Sequence, residues 1–435
     1  MELLVWAALA FLGSLLAAWA GARVALAPLR AARPAAWVDR ARLAFPARAV
    51  SRFALLLLPL AFGIVVTLQP FDLALEHPFV AELGVVVPAL VAAGIVRLHV
   101  ERTVRGRAFG AGEMLRGWLA FAAVLFPHVL AGGVGAAMAG DRFDARTLAA
   151  LAGALAVVAA SFLGAGVALA RLLGVARPAS ARLLGAVNAA SAATGIRPRG
   201  VVELDLAMAN AFALPAARLM LFTPDTQRVL DDAAISAIAR HELGHVSEPP
   251  RVVAARMAGA MIVVGSIVSL RPIAGQVFRQ EGVGAMLVAL LVILSALLFV
   301  IFVLRPLSRK MEERADGIAR SHDAHDGEYA RALEALYAEN LTPAVMSARG
   351  THPHLYDRLV AAGATPSWPR PAPPSRGRLR AALATCMGVA VVALTVGMMA
   401  AGGSDTADDH FSQRDSHTAA QTWSGRPREV YVRSQ

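Results

Sequence analysis

The chain has 435 residues, 57% of them hydrophobic, with a mean hydropathy of +0.55. That is too apolar for an ordinary soluble protein of this length and points to a polytopic membrane protein. The net charge of +11 is carried almost wholly by arginine, Lys310 being the only lysine. Those arginines cluster beside apolar runs, which argues for topology signals and against nucleic-acid binding. The single cysteine, Cys386, excludes an intramolecular disulfide.

Apolar runs occupy 3–22, 53–68, 83–96, 118–139, 148–170, 257–270, 283–304 and 381–402. Several approach the length of about 20 residues that a spanning helix needs. The first makes a poor signal peptide, because Glu2 stands where a positive charge belongs. The loops alternate in charge: 23–52 and 97–116 are arginine-rich, whereas 69–82 has neither Arg nor Lys. By the positive-inside rule the N-terminus is outside, and the first, third and fifth loops are cytoplasmic.

Two polar regions are large enough to fold. The first opens with a helical stretch closed by Gly195, followed by the strand-like "VVELDL" and "RLMLFT". Asp231 and Asp232 then cap a helix that Pro249 and Pro250 end. The expected organisation is five spans over 1–174, a polar region at 175–256, two spans at 257–304 and a second polar region at 305–364. A Pro/Arg-rich linker at 365–380, a last span at 381–402 and a polar, disorder-prone tail at 403–435 follow.

The capped helix contains "AIARHELGHV". His241 and His245 sit one turn apart on one face, so two imidazoles can reach one cation. Glu242 is about 100° further round, in reach of a water on that cation. The bland alternative is a solvated helix face. A catalytic zinc usually takes a third protein ligand. The pattern HExxHxxGxxH is excluded, since Glu248 and Arg251 occupy its positions. "SRKMEERAD" offers Glu312, with Asp316 one turn later to hold an imidazole N–H; Glu313 competes with Glu312. His322 and His325 read as a solvated loop, and His128 as a packed histidine in a span.

"NAFALP", "AIARHELGHV", "SRKMEERAD" and "THPHLYDR" occur in the order and spacing of a known family. The chain resembles the integral-membrane zinc metallopeptidases that include CAAX prenyl endopeptidases and HtpX-type proteases. The resemblance covers about 207–359. It implies a mainly α, polytopic membrane protein with a split gluzincin-type metallopeptidase domain containing a small β-sheet. It also implies one zinc per chain, held by His241, His245 and Glu312, with Glu242 as general base and Asp316 behind a ligand. Asn210 precedes a segment expected to pair with substrate as an edge strand. His352 and Arg358 are expected beside the metal, where they would stabilise the oxyanion.

The expected partners are protein or peptide substrates and the lipid bilayer, with no nucleic acid. The lysine-poor composition reads as bacterial, which places the chain in an inner membrane with the active site on the cytoplasmic side. Quality control of membrane proteins then fits better than CAAX processing. A proteolytic sensor, or a scaffold or transporter with a degenerate protease domain, are the alternatives.

Overall fold

The computed structural model describes residues 2–68, 78–106, 110–140, 142–278, 294–323, 327–346 and 354–402, with Leu287 and Leu291. Two compact units divide the chain. One comprises residues 1–21, 52–96 and 383–435, and the other 22–51 and 97–382. In the first unit, Trp6, Ala10, Phe62, Ala81, Val85 and Ala89 form an apolar core.

The helices before the sheet are α1 (Glu2–Ala32), α2 (Trp37–Leu68), α3 (Pro78–Arg105), α4 (Ala111–Val124), α5 (Pro127–Met138), α6 (Ala145–Phe162) and α7 (Ala165–Leu172). Among the described residues, six helices are long and apolar enough to cross a membrane; they include α1, α2, α3 and α6. The apolar run 118–139 is not one helix. Pro127 has no N–H to give, Phe126 N reaches back to the Phe121 carbonyl, and the Phe121 and Phe126 rings stack 4.7 Å apart at the break. The run 148–170 also breaks, at Gly164, whose φ of 96° suits a residue without Cβ. Of the seventh run, 283–304, only Leu287, Leu291 and 294–304 are among the described residues.

The second unit then builds a four-stranded mixed sheet from β1 (Ala176–Pro178), β2 (Gly200–Leu204), β3 (Ala211–Leu214) and β4 (Leu219–Phe222). Its order is β1-β2-β4-β3, with β2 and β4 parallel and the other pairs antiparallel. Strand β3 is therefore an edge. Between β1 and β2 runs α8 (Ala181–Thr194), capped by Ser180 and ended by Gly195, as expected from its sequence.

After α9 (Pro224–Val229), α10 (Asp232–Val246) begins where the Asp231 carboxylate accepts from Ala234 N, and residues 235–246 are all buried. Two further candidate spans lie in α11 (Pro250–Phe278) and, near the C-terminus, in α15 (Arg376–Gly402). Residues Val300–Leu304 wind as a π turn immediately before α12 (Arg305–Ser321). Pro306, one residue into α12, has no N–H to offer the Phe302 carbonyl four residues back, which accounts for the wider turn. Helices α13 (Glu328–Asn340) and α14 (Leu355–Ala361) complete the unit.

The core under the sheet joins α8, α10 and α13 through Leu183, Val187, Phe222, Ile235, Leu243 and Leu333. The segment expected as a linker is held down in part. Trp368 meets Trp37 edge-on at 5.7 Å and donates its indole N–H to Glu334 at 2.6 Å. The tail 403–435 lies outside the described residues.

Candidate metal centre

Helix α12 buries Glu312, Ala315, Asp316 and Ala319, a face with helical spacing. That face packs on α10, and the approach is close: a Cβ on Gly244 would sit 2.8 Å from the Ala315 Cα. Arg314 fastens the crossing by donating to the Gly244 carbonyl at 2.6 Å and the Ser247 hydroxyl at 3.0 Å. Glu313 points to solvent. The register therefore presents Glu312, not its neighbour, to the two histidines.

His241, His245 and Glu312 are all buried, and one ligand atom from each lies within 4.8 Å of the others. His241 Nε2 is 3.6 Å from Glu312 Oε2, and His245 Nε2 is 3.5 Å from Oε1. Ligands around a tetrahedral zinc, with bonds near 2.0–2.1 Å, stand about 3.4 Å apart. Two imidazole nitrogens and a carboxylate at that spacing fit a zinc-like divalent cation.

The other nitrogen of each ring is also engaged. His245 Nδ1 lies 2.7 Å from Glu248 Oε1, and Arg256 Nη1 lies 2.9 Å from the other Glu248 oxygen. His241 Nδ1 lies 2.8 Å from the Tyr329 hydroxyl and 3.1 Å from Asp316 Oδ1. The hydroxyl donates to Asp316 Oδ1 at 2.6 Å, while Arg358 donates to both Asp316 oxygens, at 2.9 and 2.6 Å, and to the hydroxyl at 2.7 Å. Both rings can thus keep their N–H on Nδ1 and turn a lone pair on Nε2 toward Glu312.

Electrostatics follow from that geometry. Burial works against a charged His245, but hydrogen bonds to Glu248 and Glu312 outweigh it and hold its pKa up at about 10. His241 is also raised, against burial, by Asp316 and Glu312. Burial alone would raise the Asp316 carboxyl; the His241 hydrogen bond and the Arg358 charge hold it well below the usual carboxylate range. Burial pushes the Tyr329 phenol far up, so it stays a donor.

A cavity of about 380 Å³ opens on this group. Glu242, Asn210 and Arg358 line it with the three candidate ligands, and β3 borders it through Ala211, Phe212 and Ala213. Of the residues expected at the site, His241, Glu242, His245, Glu312, Arg358 and Asn210 converge on this cavity, and Asp316 lies behind His241. His352 lies outside the described residues. Arg358 directs its guanidinium at Asp316 and Tyr329, where the expectation was an oxyanion contact.

Sequence reasoning missed Tyr329, Glu248 and Asn340. Glu248 carried a usable signal, three residues after His245, but served only to exclude another motif. Tyr329 is 88 positions from His241 and carried none.

Residues 180–365 match Peptidase family M48, the family of CAAX prenyl endopeptidases and HtpX-type zinc metallopeptidases. Comparison with curated proteins gives no match.

Proposed function

Because residues 180–365 form a peptidase family M48 domain, in a chain with six membrane-length apolar helices, we propose that this is a membrane-embedded zinc endopeptidase. The observation that carries this reading is the buried His241–His245–Glu312 group facing a cavity with Glu242 on its wall. Family members are metal-dependent, and the donor set suits zinc, one per chain. When bound, zinc supplies Lewis acidity to the scissile carbonyl and acidifies the attacking water.

The protein's own groups do the rest. Glu242, a carboxylate outside the candidate ligand group, is 7% exposed and lies one residue from His241. It takes the proton from the attacking water and delivers it to the leaving amine. Strand β3 offers its outer edge to an extended peptide, which fixes the scissile bond over the group. Tyr329, Asp316 and Arg358 orient His241, and Glu248 orients His245. Arg358 acts through Asp316 in this scheme, and His352 keeps the oxyanion role that the motif implies.

The active site belongs on the cytoplasmic face. Arg48 and Arg105, from the two arginine-rich loops assigned to that side, hydrogen-bond the carbonyls of Asn340 and Ala207 in the M48 domain. Substrates are membrane-associated or misfolded proteins, and the composition fits a bacterial inner membrane. The test is cleavage of unfolded casein by zinc-loaded protein. Glu242→Gln keeps its zinc and loses about 10² to 10⁴ in rate. Equal rates for variant and wild type would refute the proteolytic reading.

A further inference from the structure

Strand β3 can receive a peptide only if the chain entering it is fixed; Asn210 is held beside β4, its carbonyl accepting from Thr223 N at 3.0 Å and Thr226 Oγ1 at 2.8 Å, and the residues before it need a support of their own. Asn340, the last residue of α13, fixes them. Its side-chain oxygen accepts from Ala209 N at 2.9 Å, and its amide donates to the Ala209 carbonyl at 2.6 Å. One side chain thereby imitates a strand neighbour at the residue before Asn210. Two residues earlier, the Ala207 carbonyl accepts from Arg105 Nη2 at 2.7 Å.

Asn340 is itself held from outside the M48 match. Leu341, which follows it, adopts a left-handed conformation with φ of 47° and ψ of 50°. Side chains with a Cβ rarely adopt that conformation. The conformation turns two carbonyls at the negative end of α13 toward one cation: Arg48 Nη1 donates to Asn340 O at 2.5 Å and to Leu341 O at 3.1 Å.

Arg48 and Arg105 meet on a single buried carboxylate, Glu101, which is 4% exposed. Arg48 Nη2 reaches Oε2 at 2.8 Å, Arg105 Nε reaches it at 3.3 Å, and Arg97 Nη2 takes Oε1 at 2.7 Å. Arg97 also donates to the Arg48 carbonyl at 3.0 Å. A buried carboxylate that gathers arginines onto the two supports of one strand has a function beyond packing. We propose that Glu101 on α3, acting through Arg48 and Arg105, positions the substrate-pairing strand, with Asn340 as the last link. The inference rests on the peptidase reading, because it needs β3 to receive substrate. It makes the ends of α2 and α3 part of the cleft's machinery.

The experiment uses full-length protein in detergent micelles, with Glu101→Gln, Arg48→Lys and Asn340→Ala. Arg48→Lys keeps the charge beside Glu101 and removes the guanidinium that spans two carbonyls, so it guards against a variant that fails to fold. Amide exchange across 207–214 is expected to quicken about tenfold in Asn340→Ala, from the loss of two hydrogen bonds. It quickens less in the other two. Exchange across 232–246 and zinc content stay at wild-type values. KM for unfolded casein rises about tenfold in Asn340→Ala while kcat changes less than about twofold.

Unaltered exchange at 207–214 in Arg48→Lys and Glu101→Gln overturns the proposal. So does loss of zinc, kcat and KM together, which marks a general structural role. Should wild-type protein fail to cleave casein at all, the peptidase reading is what fails, and the exchange data still decide whether Glu101 controls the strand.

Discussion

The two histidines of the candidate metal centre are supported in opposite ways. His245 is oriented locally: its Nδ1 meets Glu248, three residues on, and Arg256 lies on the far side of that carboxylate. His241 is oriented from three other helices, by Asp316 of α12, Tyr329 of α13 and Arg358 of α14. The first arrangement forms with α10 and the start of α11. The second exists only when the whole domain is folded. Metal affinity and domain stability should therefore be coupled at one histidine and nearly independent at the other.

Removing what the histidines share comes first. Glu312→Ala should lose most of the zinc measured by atomic absorption, whereas Glu313→Ala, at an exposed position, should retain it. Zinc kept in full by Glu312→Ala would mean a different third ligand.

Next is the long-range side. Asp316→Ala strands the buried Arg358 without its counter-charge, which costs about 3–5 kcal/mol of stability. Losing the outer partner of a ligating imidazole also lowers zinc affinity about 10- to 100-fold. Denaturant unfolding of the metal-free protein reads the first effect and competitive chelation the second. A loss of metal-free stability as large as this from Glu248→Gln would erase the contrast between the histidines.

On the local side, Glu248→Gln should lower zinc affinity by about tenfold, which by itself removes about 1.4 kcal/mol of stability from the zinc-loaded protein. The metal-free protein supplies a pH signature. His245 is held up at about 10, above its ordinary value of 6.5, so its proton stabilises the fold fully below pH 6.5, and that contribution fades as pH rises through 10. Glu248→Gln should therefore destabilise metal-free protein at neutral pH and converge with wild type above about pH 10. Zinc must displace that proton and any held by His241, so wild-type affinity should climb at least about tenfold per pH unit between pH 7 and 9. A flat profile would place the proton elsewhere.

The smallest expected effect is Tyr329→Phe, which removes one hydroxyl while Arg358 keeps both contacts to Asp316. About 1 kcal/mol of stability is at stake, with a modest loss of zinc affinity.

The same contrast explains what was legible in the sequence. Features made by near neighbours could be read: the Asp231 cap, the Gly195 stop, the His241/His245 face and the separation of Glu312 from Asp316. Each depends on spacing within a helix turn or two. The break after Val124 was missed because the apolar count over 118–139 stays high, although Pro127 is visible in it. Tyr329 and Asn340 lie in "DGEYARALEALYAEN", a stretch whose residues announce no more than a helix. Their contacts, to His241 and Ala209, span 88 and 131 positions, and no periodicity encodes a pairing of that kind. The outer edge of β3 emerged from a resemblance to a family, since four residues of "AFAL" do not announce a strand.

The π turn at Val300–Leu304 works like a shim in a gear train. It winds one more residue into its turn than an α-helix would, and everything after it inherits that offset. Glu312 lies only eight residues beyond. Were the same residues wound as an ordinary α-helix, the following helix would rotate by about 100° relative to the segment before it. The carboxylate that meets the two imidazoles is thus timed by a stretch of apolar side chains outside the site.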